Sequence, residues 1–549
     1  MPADTPRSDG ITRSRAATRS SAVLATLLLM PYVALALWLL GARSGRSLCA
    51  FLAAFAFFTL MIALLTRQWR RFYLAQFPFW LLSVGFTAFT VTYDGPPGDF
   101  LSYVLATVSL DEIRGFLGVA LSLKWALIAL LPVALYLVLA IRTPPEPILS
   151  NLPTRLRQGF LGAALAMLAV SAFSPHDLID GFATNPVLGT GMFIVGPLQH
   201  ARATVDGTAI HKIPYGARRS GGDEVHILIL GESARRDSWS VYGYSRPTTP
   251  TLDRLKDETV FFQHAYSDAN ITIYAVPILL TGLRPDQFEM GRIHGNLVDL
   301  ANEAGYRTTW MMNQDPHVSL LSGVHAEHML FPPPLHTLYD GHLPRDERLL
   351  PLLRAALAET GKPRFIGMHV IGSHWEYASR YPPSLERFGS GAGLEKMPLA
   401  AAEADPRLID AYDNSVLYTD WFIGQVLDQV RALTVPVTVT FIADHGEDLL
   451  PLDGLAGHGT AEYSRHQFEI PAFVWANAAY RQAHPDKVAA MSGNADKEIR
   501  SHNLLDSLGE LMGIRWPGAV AADSFASSQF VPDTKTPHLA ASKLVRRPE

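Results

Sequence analysis

The run Val437-Thr438-Val439-Thr440-Phe441-Ile442-Ala443 is apolar and β-branched along its whole length, so it reads as a buried strand. It ends in Asp444-His445-Gly446-Glu447. A carboxylate oxygen and a neutral ring nitrogen both suit Zn²⁺, and the dipeptide therefore reads as half of a metal site. An N-cap Asp beside a surface His explains the same two residues equally well.

The rest of the chain bears on that choice. Val225-His226-Ile227-Leu228-Ile229-Leu230 is a second strand, running into Gly231-Glu232-Ser233. Glu232 thus falls just past a buried strand, where α/β sheets place ligands and catalytic groups. A third strand, Arg364 to Ile371, ends in Gly372-Ser373-His374, and a Gly-His-Gly turn lies at Gly457-His458-Gly459. Each has a bland reading as a cap or a loop residue. Their joint occurrence is harder to explain that way, even with 19 histidines in the chain.

At 549 residues the chain is too long for one ordinary domain, and its composition is split. The mean hydropathy of +0.12 averages two regimes. About five hydrophobic spans are expected before residue 175, near 22–41, 48–66, 72–93, 117–141 and 158–174. Most approach the roughly 20 residues that cross a bilayer. A cleaved signal peptide accounts for the first at most. Arginines crowd the N-terminal tail (Arg7, Arg13, Arg15, Arg19) and the connections after spans two (Arg67, Arg70, Arg71) and four (Arg142, Arg155, Arg157). The positive-inside rule makes those segments cytoplasmic, although Arg43 and Arg46 run against the pattern. An odd number of spans then places everything after about residue 175 outside the cytoplasm, in the periplasm of a Gram-negative cell. Cys49 is the only cysteine, which excludes an intramolecular disulfide and any cysteine chemistry in the remainder. A net charge of −5 gives no sign of nucleic-acid binding.

Residues 175–222 read as a connector, with an apolar stretch, Met192 to Leu198, at the membrane surface. From 223 to 530 strands alternate with helical stretches: Asn296–Ala304 before Tyr306–Met312, and Asp413–Leu433 before the Asp444 strand. The expected fold is a helical transmembrane domain (1–174) followed by an α/β domain, a sheet with helices on both faces. The tail, 531–549, is expected to be poorly ordered.

Gly231-Glu232-Ser233-Ala234-Arg235, Tyr242-Gly243-Tyr244-Ser245-Arg246-Pro247, Thr272-Ile273-Tyr274-Ala275-Val276-Pro277, Gly372-Ser373-His374, Tyr412-Asp413-Asn414, Asp444-His445-Gly446-Glu447 and Gly457-His458-Gly459 form an ordered set. It resembles the motifs of the phosphoethanolamine transferases, membrane-anchored members of the alkaline phosphatase/sulfatase superfamily. The resemblance implies an alkaline-phosphatase-like sheet and a zinc ion held by Glu232, Thr272, Asp444 and His445, with a second ion open. It makes Thr272 the nucleophile, attacking phosphatidylethanolamine to give a phospho-threonine that an envelope glycan or lipid then resolves. A zinc-bound hydroxyl favours its alkoxide, which fits that role. An N-cap is the plain structural reading of the same threonine. The family positions of His374 and His458 hold the phosphoryl group or a second metal, and imidazoles can protonate a leaving group. Asn313 and Glu447 are candidate substrate contacts, Glu447 being alternatively a partner behind a ligand or a solvated acid. His264, His466 and His502 read as structural or surface groups.

Members that modify lipid A carry disulfides that this chain cannot form, and Asp268-Ala269-Asn270 lacks the cysteine found before the nucleophile. The acceptor is therefore open among lipid A, core sugar, a periplasmic glucan or another glycan. A sulfatase needs Cys or Ser in a C/S-x-P-x-R motif, and none surrounds Pro277. A phosphoglycerol transferase of the lipoteichoic-acid-synthase type and a non-catalytic envelope protein are the remaining alternatives.

Overall fold

The computed structural model describes residues 22–37, 45–93, 123–148 and a few positions between 153 and 162. In the C-terminal part it describes 214–219, 221–289, 293–314, 323–331, 345–394, 404–459, 463–540 and 543–546. The chain divides into two compact units, the larger containing Ala203–Glu549.

In the N-terminal unit residues 22–37 are helical, as are Gly45–Thr66, Trp69–Tyr93 and Leu123–Arg142. Aromatic packing joins them. Trp80 stacks on Tyr136 with ring centroids 4.6 Å apart, and its indole N–H donates to the Leu27 carbonyl. Four of the expected spans fall on these helices; the fifth, 158–174, lies almost wholly outside the described residues, as does most of the 175–222 connector. Among the described residues no helix is long and apolar enough to cross a membrane. Trp69–Tyr93 opens on Arg70 and Arg71 and holds Gln76 and Pro78.

The C-terminal unit is built on a seven-stranded sheet. In chain order its strands are β1 (Val225–Gly231), β2 (Thr259–Phe261), β3 (Arg307–Met312), β4 (His328–Leu330), β5 (Arg364–His369), β6 (Val437–Ala443) and β7 (Ala472–Ala476). They lie in the order β2-β7-β6-β1-β5-β3-β4. The pairs from β6 to β4 are all parallel, and β7 runs antiparallel to both β6 and β2. Every residue of β1, β5 and β6 is buried, so both faces of the sheet centre are covered, as their unbroken apolar runs require. The sheet is therefore mixed, and its parallel centre matches the alternating pattern of the sequence.

The register brings the strand ends together. Leu230 pairs with Ile442 on one side and with His369 on the other, and Gly231 pairs with Ala443. The residues that follow each strand, Glu232, Asp444 and Gly372-Ser373-His374, consequently emerge on one edge of the sheet. Two helices frame this edge: α1 (Thr272–Thr281) and the long α2 (Arg407–Val430).

Of the tail expected to be poorly ordered, residues 531–540 and 543–546 are described, and part of this stretch is paired with the rest of the unit. His538–Ala540 forms a short strand, and Leu539 pairs with the chain at Ala269. Buried backbone hydrogen bonds, invisible in a Pro- and Lys-rich sequence, hold it there.

Candidate active site

Thr272 is the first residue of α1. The N-cap is Ile271, in an extended conformation with no side-chain cap, so the Thr272 hydroxyl is not spent on capping. Its Oγ1 lies 3.0 Å from His445 Nε2 and 3.2 Å from Glu232 Oε2. His445 Nε2 in turn lies 3.4 Å from Glu232 Oε1 and 3.5 Å from Asp444 Oδ2. The four side chains named as metal ligands from the sequence thus converge on one point.

Local backbone features place them there. Ser233, next to Glu232, has φ of 51°, a left-handed conformation uncommon without glycine. Its carbonyl accepts the Tyr412 hydroxyl, its N–H donates to Asp444 Oδ1, and its own hydroxyl donates to Glu232 Oε1. Those bonds hold the turn that swings Glu232 inward. A Cβ at Gly372, where φ is 47°, would lie 2.8 Å from the Glu232 carbonyl oxygen, so only glycine fits.

The donor set fits a zinc ion. His445 Nδ1 donates to the Gly446 carbonyl at 2.8 Å, which leaves the Nε2 lone pair facing the cluster. Asp444 Oδ1 accepts two backbone N–H groups, whereas the buried Oδ2 has no hydrogen-bond partner among the described residues. An orphaned buried carboxylate oxygen beside a carboxylate, an imidazole and a hydroxyl is what a cation would satisfy. Ligating atoms of Glu232, His445 and His458 also lie within 4.8 Å of one another.

The electrostatics of the cluster are unequal. Burial alone would raise the Glu232 pKa, but the imidazoles of His445, His374 and His458 outweigh it and hold the carboxyl below its usual range. Burial, and then the Glu232 charge, push Asp444 well above its usual value. Burial and the neighbouring His458 pull His445 down to about 4. A dry site tolerates one negative charge readily and a second only with a cation.

His458 sits beside this group, its ring centroid 4.0 Å from that of His445. Its Nδ1 lies 2.5 Å from Glu447 Oε2, while Glu447 Oε1 accepts the Tyr377 hydroxyl at 2.5 Å. Burial works against the imidazolium of His458, but the Glu447 carboxylate prevails and its pKa is raised. Glu447, read from the sequence as a candidate substrate contact or as a partner behind a ligand, is buried with both oxygens engaged and orients His458. His374 lies farther out, its ring 6.3 Å from that of His458, with Nδ1 donating to the Trp375 carbonyl. Asn313, the other candidate substrate contact, is also buried. Its amide donates to Asp346 Oδ1, the oxygen that also accepts the Ile371 N–H, so it braces a loop rather than facing the cluster.

The neighbouring Gln314 reaches the site, donating to Glu232 Oε2 at 2.9 Å and to the Val370 carbonyl. No motif marks it; only the pairing of β3 with β5 does. Of the other histidines, His264 is exposed, His466 lies between Asp237 and Asp453, and His502 is buried against Asp268.

The chain is similar to several known proteins. The putative transferase YhbX of Escherichia coli K12 is 31% identical over 309 residues, 55% of this chain and 53% of that protein. The chain thus matches about half the length of that relative. Phosphoethanolamine transferase EptC of the same strain is 23% identical over 484 residues, 83% of this chain and 82% of that one. Among solved structures, the integral membrane lipooligosaccharide phosphoethanolamine transferase A of Neisseria meningitidis superposes with a TM-score of 0.65 at 19% identity, covering 92% of this chain and 98% of that one. The zinc complex of the periplasmic domain of E. coli EptC gives 0.53 at 23% identity, over 59% of this chain and 92% of that one. The sulfatase family model matches residues 225–514, more than half of the chain, and the protein belongs to that family.

Proposed function

We propose that the protein is a zinc-dependent phosphoethanolamine transferase of the bacterial inner membrane, with residues 223–530 as a periplasmic catalytic domain. The observation that carries this reading is Thr272 Oγ1, free of any capping role at a helix N-terminus and within 3.2 Å of both Glu232 and His445. The membrane part is supported by apolar side chains left on the outside of the N-terminal helices, among them Met30, Leu37 and Leu131. The likeness to named phosphoethanolamine transferases supports the transferred group.

Glu232, Thr272, Asp444 and His445 would hold the zinc ion, which supplies a lowered hydroxyl pKa and draws charge from the phosphoryl oxygens. Thr272 Oγ1, its proton already lost to solvent, attacks phosphorus of phosphatidylethanolamine and will leave in the same unprotonated form in the second half; the Oγ1–P bond forms as the bond from phosphorus to the diacylglycerol oxygen breaks. His458, kept protonated by Glu447, gives its proton to that leaving oxygen. The N-terminus of α1 and the His374 ring face the charge on the phosphoryl group. In the second half an acceptor hydroxyl attacks phosphorus, its proton passes to neutral His458, and Thr272 is released. The acceptor is an envelope glycan or lipid.

The reading is tested by following diacylglycerol release from phosphatidylethanolamine by the full chain in detergent with zinc. Release from phosphatidylglycerol alone would move the protein to the phosphoglycerol transferases. Release from neither lipid would leave a non-catalytic envelope protein.

A further inference from the structure

The segment that delivers Thr272 has a second support, contributed by the far end of the chain. After the short strand His264–Tyr266, which pairs with Glu498–Arg500, the chain passes through Ser267-Asp268-Ala269-Asn270, bending at Asp268 and Asn270, to the start of α1. On one side the Asp268 carboxylate accepts Arg500 Nε at 2.9 Å, the Ser501 hydroxyl at 2.9 Å and the His502 N–H at 2.8 Å. On the other side lies the strap 533–540. The Leu539 N–H donates to the Asp268 carbonyl at 2.8 Å, and the Asn270 N–H donates to the Leu539 carbonyl at 3.0 Å. His538 Nδ1 donates to the Ser267 carbonyl at 2.7 Å.

Two further contacts tie the strap to the site itself. The Leu539 side chain is buried with Ala269, Ala275 and Ile278, the last two belonging to α1. The Ser267 hydroxyl donates to the Asp444 carbonyl, so the strap, the nucleophile segment and one proposed metal ligand form a continuous set of contacts. The strap is anchored in turn by Arg284 on Asp533 and by Arg500 on the Thr536 carbonyl.

We infer that Leu539 is a positioning residue: its backbone and side chain set the height and angle at which Thr272 meets Glu232 and His445. This rests on Thr272 being the nucleophile. The bonds hold the peptide units on either side of Ala269, three residues before Thr272, and a displacement of about 1 Å at a reacting atom can cost about a hundred-fold in rate.

The test compares Leu539→Pro, which removes the N–H, and Leu539→Ala, which removes the packing, with Leu539→Ile, all in the full chain. Turnover of phosphatidylethanolamine, melting temperature, zinc content and hydrogen exchange of the segment 267–281 are measured together. The inference expects kcat to fall about 10- to 100-fold in the Pro and Ala variants with KM nearly unchanged. It also expects faster exchange confined to 267–281, even where lost packing lowers the melting temperature of Leu539→Ala, with zinc kept by the remaining ligands and recovery in Leu539→Ile. Wild-type kcat in both the Pro and Ala variants would overturn it. So would a loss that merely follows a lowered melting temperature, with exchange quickened across the whole sheet; if Leu539→Pro does not fold, Leu539→Ala decides. If the wild type itself turns over no phosphatidylethanolamine, the functional reading fails separately. The exchange of 267–281 then still decides whether Leu539 orders that segment.

Discussion

Thr272 Oγ1 and His445 Nε2 lie 3.0 Å apart although 173 residues separate them in the chain. The contact joins the start of α1 to the end of β6, so the hydroxyl and the imidazole meet only when the sheet and its flanking helix are both in place. The same point is reached by Glu232 from the end of β1.

Asp444 gives the first prediction, since its buried Oδ2 lacks a hydrogen-bond partner among the described residues. A cation that binds only the folded protein stabilises it by about 2.7 kcal/mol at a hundred times its Kd. Zinc should therefore raise the melting temperature of chelator-stripped protein. Asp444→Ala should abolish that rise and reduce bound zinc measured by mass spectrometry. A rise that is undiminished in the variant would place the metal elsewhere.

Glu447 controls His458 and thereby the pH profile. The carboxylate, 2.5 Å from His458 Nδ1, favours the imidazolium against burial. Replacing Glu447 by Gln removes the negative charge, so the His458 pKa should fall. The limb of the kcat profile that reports loss of the general acid should move to lower pH, with kcat reduced about 10²-fold. An unmoved limb would remove His458 from the acid role.

His369 predicts an acid-sensitive stability. It is buried at the end of β5 with neither ring nitrogen hydrogen-bonded among the described residues, and burial pulls its pKa down to about 4. The unfolded chain takes up the proton near the ordinary value of about 6.5, well before the folded protein does. This contribution is thus fully present above pH 6.5 and is lost as pH falls from there towards 4, by a few kcal/mol in all. Urea unfolding at a series of pH values should show the slope, and His369→Leu should flatten it.

Gly446 stands between His445 and Glu447 with no room for a side chain. A Cβ there would sit 1.9 Å from the His466 carbonyl oxygen, a backbone atom that cannot swing aside. Gly446→Ala should cost about 4 kcal/mol or more and displace both neighbours. Chemical denaturation and zinc content should fall together; a normally stable, zinc-replete variant would contradict the close approach.

Much of this was legible before any coordinates. Buried strands announce themselves by unbroken apolar runs, and the groups at their ends, Glu232, Asp444 and His374, could be named because parallel strands present their C-terminal ends on one edge. What could not be read were contacts set by register and by chain reversal. Gln314 meets Glu232 only because β3 pairs with β5, and its neighbour Asn313 looks no different in sequence. Glu447 could not be assigned from composition because an acid beside a histidine is exposed as often as buried. Leu539 was hidden in a segment whose prolines and charges suggest disorder, since backbone pairing at Asp268 and Asn270 leaves no trace in residue type.

The central claim, that Thr272 carries the phosphoethanolamine group, is tested most directly by mass spectrometry of the purified full-length protein after incubation with phosphatidylethanolamine, beside Thr272→Ala. The account predicts a phosphoethanolamine adduct on the peptide containing Thr272 in the wild type and none in the variant. An adduct of equal yield in Thr272→Ala, or an adduct on any other residue of the wild type, would contradict it.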